Sequence, residues 1–270
     1  MGGFWPSGVN VNKPVVFGII VSIAAIYFIY SRYATTTTVE ADIITSERTM
    51  PALDKAAVRD LRSEAKLVNV TVRNKLLRVY VVQVMKNLGK AKLDVLFLHG
   101  QKFSSEDWIR NGSLNHVANW GYRSVAIDLP GHGKTTDTID ELVVDEFLKA
   151  LVSSLKMKEN VVIIAPSASG RYALPYLFNK PETSTDRAKG FVPITPVGTN
   201  KYVDKFPASQ IPTLIVYGTD DKQGKEVAED LKKLPKSETS PIEGAGHACY
   251  LNKPDEFHNA LYNFLIKLSS

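Results

Sequence analysis

Three polar clusters, far apart in the chain, carry the residue types that acyl transfer uses: the turn Pro166-Ser167-Ala168-Ser169-Gly170, the pair Asp220-Asp221, and His247 behind Gly244-Ala245-Gly246. A serine hydroxyl is a poor nucleophile at neutral pH. It needs a histidine to take its proton and a carboxylate to hold that imidazole in the right tautomer. The clusters appear in the order serine, acid, histidine, each beside an apolar run, which is the order found where the nucleophile sits on a strand–turn–helix elbow.

Size separates the two serines. A strained elbow packs its backbone against strand and helix, so the positions two before and two after the nucleophile must be small. For Ser167 these are Ala165 and Ser169; for Ser169 they would be Ser167 and Arg171, and an arginine crowds the turn. Ser167 is the expected nucleophile and Ser169 the alternative; neither reproduces G-x-S-x-G, and serines are also ordinary turn residues. Asp221, three residues beyond Gly218, is the expected acid, with Asp220 as the alternative or as a cap for a helix beginning near Gly224. His247 is the expected base. The oxyanion needs donors, and the backbone N–H groups of Ala168 and of Gln101, which follows His99-Gly100, are placed to supply them. His99 and His132 are expected to brace loops. No His, Cys, Asp or Glu cluster has metal-ligand spacing, so neither a metal nor a cofactor is expected.

These groups need a scaffold that brings strand ends together. Leu67 to Val72 and Leu76 to Met85 are β-branched runs separated by Arg73-Asn74-Lys75, a hairpin pattern. LDVLFLHG, RSVAIDLPG, VVIIAPS, KGFVPIT and IPTLIVYG are apolar almost throughout, as strands buried on both faces are. Helical stretches alternate with them over Ser105–Trp120, Ile139–Leu155, Gly170–Phe178, Gly224–Leu234 and Pro254–Leu268. The expectation is an α/β domain with a mostly parallel, doubly wound sheet whose functional groups lie beyond the strands' carboxyl ends. Only a short segment, Ile194 to Ile211, separates the two strands before the acid, which leaves no room for a large cap domain.

The chain has 270 residues, 44% hydrophobic and 23% charged, with 33 Lys and Arg against 28 Asp and Glu for a net charge of +5. Such a balance excludes disorder, collagen and disulfide-scaffold classes, and no basic run asks for nucleic acid. The single cysteine, Cys249, forbids an internal disulfide. Residues 14–30 carry no charge and are bounded by Lys13 and Arg32 with Trp5, Tyr27, Tyr30 and Tyr33 nearby, the pattern of a transmembrane signal-anchor helix. The organisation expected is a short segment 1–13, an anchor 14–30, a Thr-rich stalk 31–65 and a catalytic domain 66–270. A type II, single-pass topology with a cytosolic N-terminus follows as the default. Asn69 and Asn111 head N-glycosylation sequons, in about the number chance places in such a chain.

The segments LFLHGQKFSSEDW, YRSVAIDLPGHGK, PSASGRYALPYL, FVPITPVGTNKY, IPTLIVYGTDD and GAGHACYLNKPDEFH together resemble the α/β-hydrolase domain-containing protein 14 family over nearly all of Leu67–Ser270. With its apolar N-terminal run the chain is most similar to the membrane-anchored A branch. The resemblance implies an α/β-hydrolase fold and a triad on the residues matching Ser167, Asp221 and His247. Arg171 and Gln101 depart from the family pattern beside the site.

Together these readings predict a membrane-anchored serine hydrolase that cleaves or transfers short acyl groups from a small molecule or a protein side chain. Coenzyme A is an admissible acceptor that no P-loop or Rossmann fingerprint supports. The rival reading is an inactive hydrolase fold used as a tethered interaction module.

Overall fold

The computed structural model describes residues 48–87, 89–157 and 161–270, so the apolar run 14–30 lies outside the described residues. Among the described residues no helix is long and apolar enough to cross a membrane.

After a short helix α1 (Lys55–Arg59), strands β1 (Leu61–Val72) and β2 (Lys75–Lys86) form the hairpin, antiparallel from Leu61↔Lys86 to Val72↔Lys75. β1 thus begins before the expected domain boundary at 66. Arg62, Glu64 and Lys66 carry it outward as a charged edge strand, which is why its first half reads as polar linker.

The rest alternates: β3 (Asp94–Phe97), α2 (Ser105–Arg110), α3 (Ser113–Asn119), β4 (Arg123–Ile127), α4 (Val144–Ser154), β5 (Val161–Pro166), α5 (Gly170–Phe178), β6 (Gly190–Ile194), β7 (Thr213–Gly218), α6 (Lys222–Leu231), β8 (Ser237–Ile242), α7 (Cys249–Asn252) and α8 (Pro254–Ser269). They build one eight-stranded sheet in the order β1-β2-β4-β3-β5-β6-β7-β8, parallel from β4 onward. The helix expected over Ser105–Trp120 is two helices, broken where Gly112 takes φ 80°, a conformation that suits glycine. Between β6 and β7 only two single 3-10 turns occur, Thr199–Lys201 and Phe206–Ala208, and no cap domain.

The interior strands are apolar without alternation because both faces are covered. Leu96, Ile163 and Ala165 join Phe147 and Leu151 of α4 on one side, while Val95, Phe97, Val162 and Ile164 join Leu261 and Phe264 of α8 on the other. On that second side Trp108 is fully buried, stacks on Tyr250 at 4.4 Å and donates its indole N–H to the Leu98 carbonyl at 2.8 Å.

β3 and β5 are neighbours, yet the chain leaves β3 for β4 on one side and continues from β5 to β6 on the other. That reversal opens a crevice at their carboxyl ends, the place where open α/β sheets bind ligands.

Candidate active site

Ser167 directly follows β5 and takes φ 48°, a left-handed conformation that is unfavourable for a residue with a Cβ. The turn is held from below. Ala165 and Ser169 are fully buried, Ser169 Oγ donates to the Pro166 carbonyl at 2.7 Å, and Val197 N donates to the Ser167 carbonyl at 2.9 Å. A Cβ on Gly170 would lie 2.6 Å from the Val197 carbonyl, so this position admits only glycine without a shift. Ser169 is therefore a structural residue of the turn, and Ser167 presents its hydroxyl at the crevice.

His247 Nε2 lies 2.9 Å from Ser167 Oγ, and His247 Nδ1 lies 2.7 Å from Asp221 Oδ2. An ionised carboxylate only accepts, so the Nδ1 carries the proton and Nε2 faces the hydroxyl as acceptor. Asp221 is mostly buried at 10% side-chain exposure, while His247 is open at 43%. Asp221 occupies the N-cap of α6 without capping it, and Asp220 is exposed. The alternative role of Asp220 as a helix cap is not met, because the helix begins at Lys222 with Asp221 at the N-cap position.

The loop that carries His247 is tied to the loop that carries the acid. Thr219 N and Asp220 N donate to the Ile242 and Ala245 carbonyls, both at 3.0 Å, and Gly244 N donates to Thr219 Oγ1 at 2.8 Å. Beside the acid, Thr195 holds φ 46° at the end of β6, buried, with no hydrogen-bond partner for its hydroxyl. No pattern in the sequence marked this strained, β-branched residue.

Gly100, Gln101 and Ala168 line one small cavity of about 150 Å³ with Leu129, Arg171 and Tyr172. The two residues expected to supply oxyanion donors thus face the same space. His99 braces it: Nδ1–H donates to the Gly100 carbonyl at 2.8 Å and Nε2 accepts from Leu129 N at 2.9 Å, and burial holds its pKa below the usual range. Arg171 and Val197 also border a wider cleft of about 620 Å³.

The two sequons differ. Asn69 is exposed on β1. Asn111 is engaged at both ends of its carboxamide, donating to the Tyr250 carbonyl at 3.2 Å and accepting from Ser113 N at 3.1 Å. Among the described residues no cluster of His, Cys, Asp and Glu could hold a metal ion.

No protein-family model matches the chain. The rat protein named "Putative protein-lysine deacylase ABHD14B" is 44% identical over 66% of this chain and 85% of its own length.

The chain belongs to the ABHD14 family.

Rat ABHD14A is 38% identical over 73% of the chain and 83% of its own length. Both branches of the ABHD14 family therefore match, and the A branch is not distinguished from the B branch. Among solved structures, a CIB-like hydrolase from Thermoplasma acidophilum superposes with a TM-score of 0.66 at 21% identity, covering 76% of this chain and all of that one. The fold is that of the α/β-hydrolases.

Proposed function

We propose that this ABHD14-family chain is a serine hydrolase that removes or transfers short acyl groups through an acyl-enzyme on Ser167. The observation that carries the reading is the position of His247 between Ser167 Oγ at 2.9 Å and Asp221 Oδ2 at 2.7 Å.

In this mechanism Ser167 Oγ attacks the acyl carbonyl carbon while its proton passes to His247 Nε2. Asp221 accepts the bond from Nδ1–H and stabilises the imidazolium. The N–H groups of Ala168 and Gln101 stabilise the oxyanion, each such donor being worth roughly 3 kcal/mol. Collapse of the tetrahedral intermediate breaks the bond to the leaving group, which takes the proton from Nε2. Water, deprotonated by the same histidine, then releases the acid.

The small cavity beside Ser167 suits a short acyl group. The name of ABHD14B supports acyl-lysine side chains of proteins as the substrate class. A thiol acceptor such as coenzyme A has no motif behind it. The apolar run 14–30 would hold the domain at a membrane as a type II protein.

The test is covalent labelling of the full-length protein by a fluorophosphonate. Labelling retained in Ser169→Ala and lost in Ser167→Ala and His247→Ala is the expected result. A folded wild type that takes no label would defeat the reading.

A further inference from the structure

We propose that the pocket beside Ser167 selects an acyl group that ends in a carboxylate, the half-amide of a short dicarboxylic acid on a lysine side chain, and that Arg171 binds that carboxylate. The inference rests on the reading of Ser167 as nucleophile and names the substrate class of that same site.

Arg171 is the one permanently charged side chain among the described residues lining the small cavity, and no carboxylate lines it. Gln101 and Ala168, whose amides would hold the oxyanion, border the same space as Arg171, and the guanidinium carbon lies 5.7 Å from the ring centre of Tyr172, which also lines it, so an acyl carbonyl held by those amides shares one cavity with the arginine. A plain alkyl end would meet this cation with nothing to offer it. A carboxylate accepts from the planar fork in two parallel bonds, the geometry for which arginine is suited and lysine is not. The volume, about 150 Å³, limits the spacer between carbonyl and carboxylate to a few methylenes.

The position of Arg171 strengthens the argument. It stands in the first turn of α5, immediately beyond the serine turn, where the helix's positive end disfavours a cation. An anion is needed to compensate, and Glu141 supplies one from the far side, across the wider cleft. That partner is 73% exposed on a single 3-10 turn, and an exposed pair of this kind contributes little to stability. Glu141 thus marks the charge that the guanidinium accepts, in a pair open to solvent. A substrate carboxylate entering through the small cavity takes its place or shares the fork.

The covalent chemistry is unchanged by the substituent. Ser167 Oγ forms a bond to the amide carbonyl carbon, the C–N bond breaks, and the lysine amine leaves with the proton held by His247. Water then cleaves the ester and the free dicarboxylate departs.

The test uses the full-length protein and two peptides of one sequence bearing N6-succinyl-lysine or N6-butyryl-lysine, which differ by the terminal carboxylate. Each is assayed as a competitor of fluorophosphonate labelling at Ser167. The succinyl peptide should halve the labelling rate at a concentration about tenfold lower than the butyryl peptide, the size of one charge-assisted contact. Arg171→Ala should erase that ratio, Arg171→Lys should retain only part of it, and raising salt from about 0.05 M to about 0.5 M should narrow it. Protection by neither peptide, equal protection, better protection by the butyryl peptide, or a succinyl advantage that survives Arg171→Ala overturns the proposal while leaving the hydrolase reading intact. Failure of Ser167 to label at all removes both.

Discussion

Asp221 stands at the N-cap of α6 and yet turns away from its helix, placing Oδ2 2.7 Å from His247 Nδ1 and bonding none of the helix amides. An N-cap carboxylate ordinarily stabilises its helix by about 1 kcal/mol through such bonds. Here that contribution is forgone, and the carboxylate is spent on a partner 26 residues away in sequence. The helix start places the acid, while the side chain serves the histidine.

Replacing Asp221 by Asn should therefore separate activity from stability. Asparagine can donate to Nδ1 and favour the wrong tautomer, so turnover of an activated ester should fall by about 10³- to 10⁴-fold. The helix loses no capping bond, and the thermal midpoint should stay within about 2 °C of wild type. A large loss of midpoint with activity preserved would show that Asp221 is a structural cap after all.

Gly218 at the end of β7 should be intolerant of any side chain. A Cβ there would lie 2.1 Å from the Ala245 carbonyl and 2.3 Å from that of Gly246, both backbone atoms in the loop leading to His247. Gly218→Ala should cost about 1–3 kcal/mol through forced displacement. It should also slow fluorophosphonate labelling, because the displaced loop carries the imidazole. Gly246→Ala, whose added Cβ would meet Asn252 Oδ1 at 3.6 Å, an ordinary contact, provides the comparison by thermal melting. Equal midpoints for the two variants would contradict the crowding argument.

Much of this arrangement was legible in the chain because both faces of the interior strands are covered. Val161–Ala165 and Val95–Leu98 read as strands from continuous apolarity alone, and the site residues follow their ends. β8 is not legible, for the opposite reason. Its residues Ser237–Ile242 lie at the sheet edge with only Ile242 buried and with Pro241 in the strand, so they read as loop. The types and order of Ser167, Asp221 and His247 were visible, but the distances that join them come from pairings across the sheet. Arg171 is visible as a neighbour of the serine turn; that it lines both the small cavity and the wider cleft depends on the rotation of α5. The strain at Thr195 left no trace in composition or spacing.

Cys249 should be chemically silent in the folded protein. It is fully buried, and burial, reinforced by the Asp221 carboxylate, pushes its thiol pKa up to about 12. Alkylation needs the thiolate and access, and both are missing. Iodoacetamide at pH 8 should leave the native protein unmodified by mass and modify it once it is unfolded in denaturant. Rapid native alkylation with loss of activity would shift attention from Ser167 to the thiol.

The stability of the domain should fall in acid through His258. This residue of α8 is buried, bonds Ser113 Oγ through Nε2 at 2.9 Å, leaves Nδ1 without a partner and faces the His116 ring at 4.5 Å. Burial first, and the neighbouring His116 second, lower its pKa to about 3, and burial lowers that of His116 as well. In the unfolded chain a histidine titrates near 6.5, so above that pH both states are neutral and nothing is gained or lost. As pH falls from about 6.5 toward about 3, the unfolded chain binds a proton that native His258 refuses, and stability is lost by up to about 1.4 kcal/mol per pH unit. Urea unfolding at pH 7.5 and pH 5 should show this loss in wild type. His258→Asn, which removes the titrating ring while keeping a polar group for Ser113, should start lower and decline less steeply. Parallel declines in the two proteins would assign the acid sensitivity to other groups.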